Sequence, residues 1–242
     1  DVQLASIAGG TDMVGCLVLG NLYSGVYKGE IQGQSLAIDV DVFTEDGKST
    51  KDGEKGELVV KQPFPSMPIK FWGDDSGEKY HKAYFTRFNN IWHHGDFIER
   101  TINNGFIMRG RSDATLNPGG VRIGTSEIYQ QVENIDFITE GLVVGQDYND
   151  DVRIILFVTT KDNKKLDEEK VKLIKGKIKK NCSPKHVPSM IIKVPEIPRT
   201  KSGKIVELAV RKVINGEKLN NIEAIANPKS LDFFKNLDQI KS

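Results

Sequence analysis

The chain has 242 residues, 34 Lys and Arg against 33 Asp and Glu, a net charge of +1 and 38% hydrophobic content. It can bury the core of one large domain or two small ones, and it lacks the overall positive field that draws in nucleic acid. No apolar run approaches the roughly 20 residues of a membrane span, and two widely spaced cysteines, Cys16 and Cys182, read as free thiols of a cytoplasmic protein rather than a disulfide framework or a zinc site.

Val2 to Ile7 is apolar and β-prone, which predicts a strand ending in Ala8-Gly9-Gly10-Thr11-Asp12. Small residues, a hydroxyl and a carboxylate at a strand edge suit a phosphate and its Mg²⁺, although Gly-Gly-Thr-Asp is also an ordinary turn. Leu36, Ile38, Val40 and Val42 alternate with polar residues, predicting a half-buried strand over Ser35 to Phe43; Gly56 to Val60 is another, and together they suggest a small antiparallel sheet or barrel. The acidic loop between them puts Lys48 and Thr50 where a calcium loop needs Asp or Asn, so it reads as solvated. A short helix is predicted over Asp74 to Tyr84 and a strand over Ile91 to Arg100, with Asn103-Asn104-Gly105 as the hairpin turn back into Phe106-Ile107-Met108. His93 and His94 are strand neighbours that point to opposite faces and so cannot easily share a metal ion.

Met108 to Tyr129 concentrates an Arg-Gly-Arg-x-Asp turn, a Pro-Gly-Gly corner and a helix start capped by Thr125 or Ser126. Gly110, Gly119 and Gly120 permit positive φ or close approach, while Arg111 and Arg122 offer planar donors to ribose, carboxylate or phosphate oxygens. The helix presents Ile128, Val132 and Ile135; strands follow at Gly141 to Gly145, Val152 to Thr159 and Met190 to Val194, with helices over Asp167 to Lys180 and Val206 to Ile214. Lysines on the Asp167 to Lys180 helix form a largely solvated face. Strands covered by helices make this half a small α+β domain, so the whole reads as α+β. Arg199-Thr200-Lys201-Ser202-Gly203-Lys204-Ile205 contains Ser-Gly-Lys, yet Pro198 and Ile205 stand where a Walker loop needs Gly and Ser or Thr.

These motifs together resemble the adenylate-forming superfamily of acyl-CoA synthetases, luciferases and peptide-synthetase adenylation domains, and the resemblance runs along essentially the whole chain. It implies ATP, Mg²⁺ and CoA as co-substrates, with a short acyl acid as the small-molecule substrate. Thr11 would contact the adenylate phosphate; Asp12, one methylene shorter than the usual Glu, would hold Mg²⁺; Asp96 in His-Gly-Asp would take both ribose hydroxyls; Arg111 and Arg122 would also bind nucleotide. Asp113 would be the hinge, Gly119 and Gly120 would face the pantetheine of CoA, Lys179 would meet CoA, and Lys204 in Pro-x-Thr-x-Ser-Gly-Lys would bridge the acid and the α-phosphate. Gly9 stands where acetyl-CoA synthetases carry a pocket-closing Trp, which implies room for a longer acid.

The resemblance also implies an architecture. Residues 1 to 112 would be the antiparallel, β-rich C-terminal portion of a large adenylation domain, and residues 113 to 242 a mobile C-terminal lid with a tail from about 218. The family's loop for the β- and γ-phosphates lies upstream of anything present, so the expected partner is a missing N-terminal portion of the same enzyme and the piece alone is expected to be inactive. The alternatives are a catalytically silent lid module and a synthetase for another short acid.

Overall fold

The computed structural model describes residues 2–219, 222–235 and 237–240, and the chain forms two compact units, Asp1–Ser112 and Asp113–Ser242. The first unit holds two antiparallel sheets. One runs β1 (Ile7–Gly10), β2 (Gly15–Leu19) and β3 (Gly33–Gln34); the other runs β4 (Val40–Phe43), β5 (Lys55–Val60), β6 (Trp92–Arg100) and β7 (Phe106–Arg111) in that order. A helix, α1 (Glu78–Tyr84), precedes β6.

Two of these strands start later than the sequence predicts. Val2 and Leu4 are 97% and 94% exposed and lie outside any strand, so β-propensity without a paired neighbour leaves 2–6 irregular. Leu36 is 95% exposed and Ala37 takes φ 61°, breaking the expected run before β4. β4 is buried on both faces rather than half-buried: Val40 and Val42 join Leu58, Trp92 and Ile98 in the core, and Phe43 packs with Val59 and Phe88. Buried Asp41 is tolerated there because Val42 N and Ser49 Oγ donate to it at 2.8 and 2.7 Å, and Arg100 and Lys61 pair with it. Helix α1 begins at Glu78, with the Asp74 carboxylate accepting from Lys79 N and Tyr80 N at 3.2 and 2.8 Å. The β6–β7 hairpin turns where Asn103-Asn104-Gly105 predicts, with Asn104 at φ 60°.

The second unit is a three-stranded sheet with order β10-β9-β8, in which β8 (Ile138–Tyr148) and β9 (Asp151–Thr160) are antiparallel and β10 (Met190–Lys193) runs parallel to β9. Both faces are covered, which is why β9 reads as a continuous apolar run. Ile154, Leu156 and Val158 face α2 (Thr125–Val132) and α3 (Glu168–Asn181); Ile155 and Phe157 face α4 (Glu207–Ile214) and the C-terminal residues. The cap of α2 differs from the expected hydroxyl: Gly124 is the cap, and the Glu127 carboxylate accepts its N–H at 3.0 Å. Asp167 caps α3 by accepting from Lys170 N at 2.9 Å.

The expected tail includes residues 220, 221, 236, 241 and 242, which lie outside the described residues. Its described part is a structural layer: Ile225, Leu231, Phe234 and Ile240 are buried, and the Phe234 ring meets Phe157 edge-on at 4.8 Å. Among the described residues no helix is long and apolar enough to cross a membrane.

Candidate functional site

In the first unit, β1 and the β6–β7 hairpin converge on one edge. Met13 is fully buried and pins the turn after β1, leaving Thr11 and Asp12 exposed. The Tyr84 hydroxyl donates to Asp12 Oδ2, and the Tyr84 ring stacks on Trp92 at 3.7 Å with an interplanar angle of 11°. Burial, reinforced by the hydrogen bond to Asp12, pushes the Tyr84 hydroxyl well above its usual pKa, so it remains a donor.

Asp96 and Arg111 are directly opposed across β6 and β7. Arg111 Nη1 lies 3.2 Å from Asp96 Oδ1, with the Asp96 side chain only 11% exposed and that of Arg111 51% exposed. The bulge between Phe97 and Ile98 re-aims this end of the hairpin. Gly95, at φ 85°, leaves the space the guanidinium uses, since a Cβ there would sit 2.8 Å from Arg111 Nη2.

His94, which no sequence motif marks as a site residue, fills the centre of this edge. Trp92 Nε1 donates to its Nδ1 at 3.4 Å, so the ring proton belongs on Nε2, which faces Asp96 Oδ2 at 3.6 Å. The ring also hydrogen-bonds the Gly9 backbone; burial lowers its pKa even though Asp96, the Gly9 bond and Asp12 act in the opposite direction. His93 points the other way, 2.9 Å from the fully buried Glu57, which also pairs with Arg87 at 3.1 Å and accepts from Ser112 Oγ. The two histidines thus serve separate networks, and a period-two strand is the sequence feature that separates them. Tyr84 carried no such feature, because its place depends on how α1 packs.

Gly9 has a local reason to be glycine. A Cβ there would lie 2.2 Å from the Gly15 carbonyl oxygen and 2.6 Å from Cys16 Cα, at the bulge where β1 meets β2. The position is closed by backbone, so this geometry gives no support to the simple expectation that Gly9 opens a pocket by lacking a side chain.

In the second unit, Leu116 and Ile123 pair across the Pro118-Gly119-Gly120 corner, and Arg122 Nη2 reaches Thr115 Oγ1 at 3.4 Å. Gly119 and Gly120 take φ 57° and 76°. Gly119 N already donates to Asp151 Oδ1 at 2.8 Å, whereas a Cβ on Gly120 would meet open space, so Gly120 is the accessible backbone here. The cation beside this corner is Lys185, whose Nζ would lie 2.6 Å from a Cβ on Gly119; Lys179 is exposed in the last turn of α3. Asp113 is exposed in a short 3₁₀ turn, Ser112–Ala114, at the boundary of the two units. Lys204 is exposed on a tight loop: Thr200 N donates to Lys204 O at 2.8 Å, Lys204 N to Thr200 Oγ1 at 3.0 Å, and Gly203 takes φ 84°.

No family model matches the chain. It is 57% identical over 242 residues to the acetoacetyl-coenzyme A synthetase of Rhizobium meliloti (strain 1021), covering all of this chain and 37% of that protein. To the acetoacetyl-CoA synthetase of Danio rerio it is 45% identical over 245 residues, covering 36% of it. Among solved structures, acetoacetyl-CoA synthetase from Streptomyces lividans superposes with a TM-score of 0.91 at 38% identity, covering 100% of this chain and 37% of that one. A benzoate CoA ligase from Burkholderia xenovorans LB400, with a TM-score of 0.71 at 24% identity over 86% of this chain and 40% of that one, shares the fold. The chain therefore matches acetoacetyl-CoA synthetases along its whole length while spanning little over a third of theirs.

Proposed function

We propose that this chain, homologous throughout to part of the acetoacetyl-CoA synthetases, supplies the nucleotide edge and the lysine-bearing lid of a cytoplasmic ligase that converts acetoacetate, ATP and CoA to acetoacetyl-CoA, AMP and pyrophosphate. In the first half-reaction an acetoacetate oxygen attacks the α-phosphorus and pyrophosphate leaves; in the second the CoA sulfur attacks the acyl carbon and AMP leaves. The observation that carries this reading is the convergence of Asp12, Asp96 and Arg111 on one edge of the first unit.

Asp96 is suited to the ribose because a carboxylate held by Arg111 still presents two oxygens to a vicinal diol. Thr11 lies beside Asp12 on the exposed turn, and its hydroxyl is assigned to the adenylate phosphate. Asp12 offers the single hard oxygen donor that Mg²⁺ takes from a protein when substrate phosphates provide others, and Mg²⁺ bound there would neutralise phosphate charge. Lys204 cancels charge between the acid and the α-phosphate. Arg122 is assigned to the nucleotide, the Gly119-Gly120 corner with Lys179 to CoA, Lys185 joining them on geometric grounds, and Asp113 to the hinge about which the lid turns. Gly9 is assigned to the acyl pocket on the resemblance alone, since the bulged β1–β2 pair explains the glycine by itself.

The partner of the first unit is the rest of the same enzyme. Ile7, Val14, Leu22, Tyr23, Val26 and Trp72 are all more than half exposed, apolar surface that is consistent with cover by additional chain. Thioester formation by the full-length enzyme tests the acid: acetoacetate should be preferred over acetate in kcat/KM by about 10-fold or more, the scale of discrimination between acids of different length. A preference for acetate would remove the substrate assignment.

A further inference from the structure

We propose that the C-terminal residues 224–227 are a brace for the Lys204 loop and that Asn227 is a positioning residue for that lysine. The inference rests on reading Lys204 as the adenylating cation. The loop's own bonds close it from Arg199 to Ile205, but they do not fix where the closed loop sits. That is done from outside. Thr200 pairs with Ile225 as an isolated antiparallel bridge, Lys201 N donates to Ala224 O at 3.2 Å, and Ala226 N donates to Arg199 O at 2.8 Å.

Asn227 joins the loop to the strand-side residues that lead into it. Its Oδ1 accepts from Arg199 N at 2.8 Å, and its Nδ2 donates to Ile197 O at 3.0 Å and Glu196 Oε1 at 2.7 Å. One side chain thereby holds three successive parts of the approach to Thr200, and Thr200 Oγ1 in turn accepts from Lys204 N. The brace is itself anchored: Ser230 Oγ donates to Asn227 O at 2.6 Å, and buried Ile225, Leu231 and Phe234 fix the segment to the sheet. Arg199 adds a second tie, its Nη2 donating to Glu140 Oε1 of β8 at 2.6 Å and its Nη1 to Gly203 O. A flexible lysine side chain reaches a defined point only if its backbone is held, so loosening the brace should spread Lys204 over more positions without removing its charge.

The test uses the full-length enzyme carrying Asn227→Ala, with Ala226→Pro as a second variant that removes the donor to Arg199 O and leaves the Asn227 side chain in place. Both should lower the rate of acetoacetate-dependent adenylation by about 10- to 100-fold, the scale of a catalytic group displaced by about 1 Å. Thioester formation from supplied acetoacetyl-AMP should stay at its original rate, and tryptic cleavage after Lys201 and Lys204 should accelerate. Equal loss of both half-reactions would reduce Asn227 to a general stabiliser, and unchanged adenylation with unchanged cleavage would remove the brace; either overturns the proposal. Lys204→Ala is the control that separates the two readings. If that variant adenylates normally, the role of Lys204 falls, and the brace then stands or falls on the cleavage rate alone.

Discussion

Lys204→Ala in the full-length enzyme is expected to slow adenylation by about 10²- to 10³-fold, the loss typical of deleting one preorganised electrostatic group. The acid and the α-phosphate are both anionic, and their approach needs a cation placed between them by a loop that is itself held. On the proposed assignment the ammonium has no task once the adenylate exists, so conversion of supplied acetoacetyl-AMP and CoA to thioester should continue at the original rate. Measuring the two half-reactions separately checks this. Equal loss in both would show that Lys204 acts on something common to them, such as folding of the loop or binding of AMP.

Asp96→Ala should raise the KM for ATP by about 10²-fold or more, since hydrogen bonds to a charged group contribute roughly 1.5–3 kcal/mol each and, on the proposed assignment, both ribose hydroxyls lose their acceptor. The site is built around this carboxylate: it is 8% exposed, paired with Arg111 and faced by the His94 ring. Removing it also leaves Arg111 without that counter-charge and His94 without the carboxylate its Nε2 faces, so Asp96→Asn, which keeps one acceptor and the shape, should lie between the wild type and Asp96→Ala. Steady-state kinetics over a range of ATP concentrations reads the effect. An unchanged KM in Asp96→Ala would place the ribose elsewhere.

What the sequence reveals of this molecule follows the range over which each interaction acts. The Asn103-Asn104-Gly105 turn, the register that opposes Asp96 and Arg111, and the buried Ile128, Val132 and Ile135 are set by neighbours within a turn or a hairpin, and they stand where the pattern puts them. Features that depend on distant segments stayed hidden. Val2 to Ser6 lies in a run with the composition of a strand and has no strand to pair with; β4 is shortened by a left-handed Ala37 and buried on its second face by Phe88. The candidate site divides in the same way. The family resemblance marks Thr11, Asp12, Asp96, Arg111 and Lys204, but His94, Tyr84, Lys185 and Asn227 are visible only once chain segments far apart in sequence are packed together. Gly9 is the instructive case, because its neighbours across the bulge explain the glycine without reference to any ligand.

The most direct measurement of the central claim is isotope exchange between pyrophosphate and ATP, catalysed by the full-length enzyme with acetoacetate present and CoA omitted. An acyl-adenylate route predicts exchange that requires acetoacetate, proceeds without CoA and is suppressed by Lys204→Ala. Exchange that needs CoA, or ATP consumption that yields ADP and phosphate, would contradict the account.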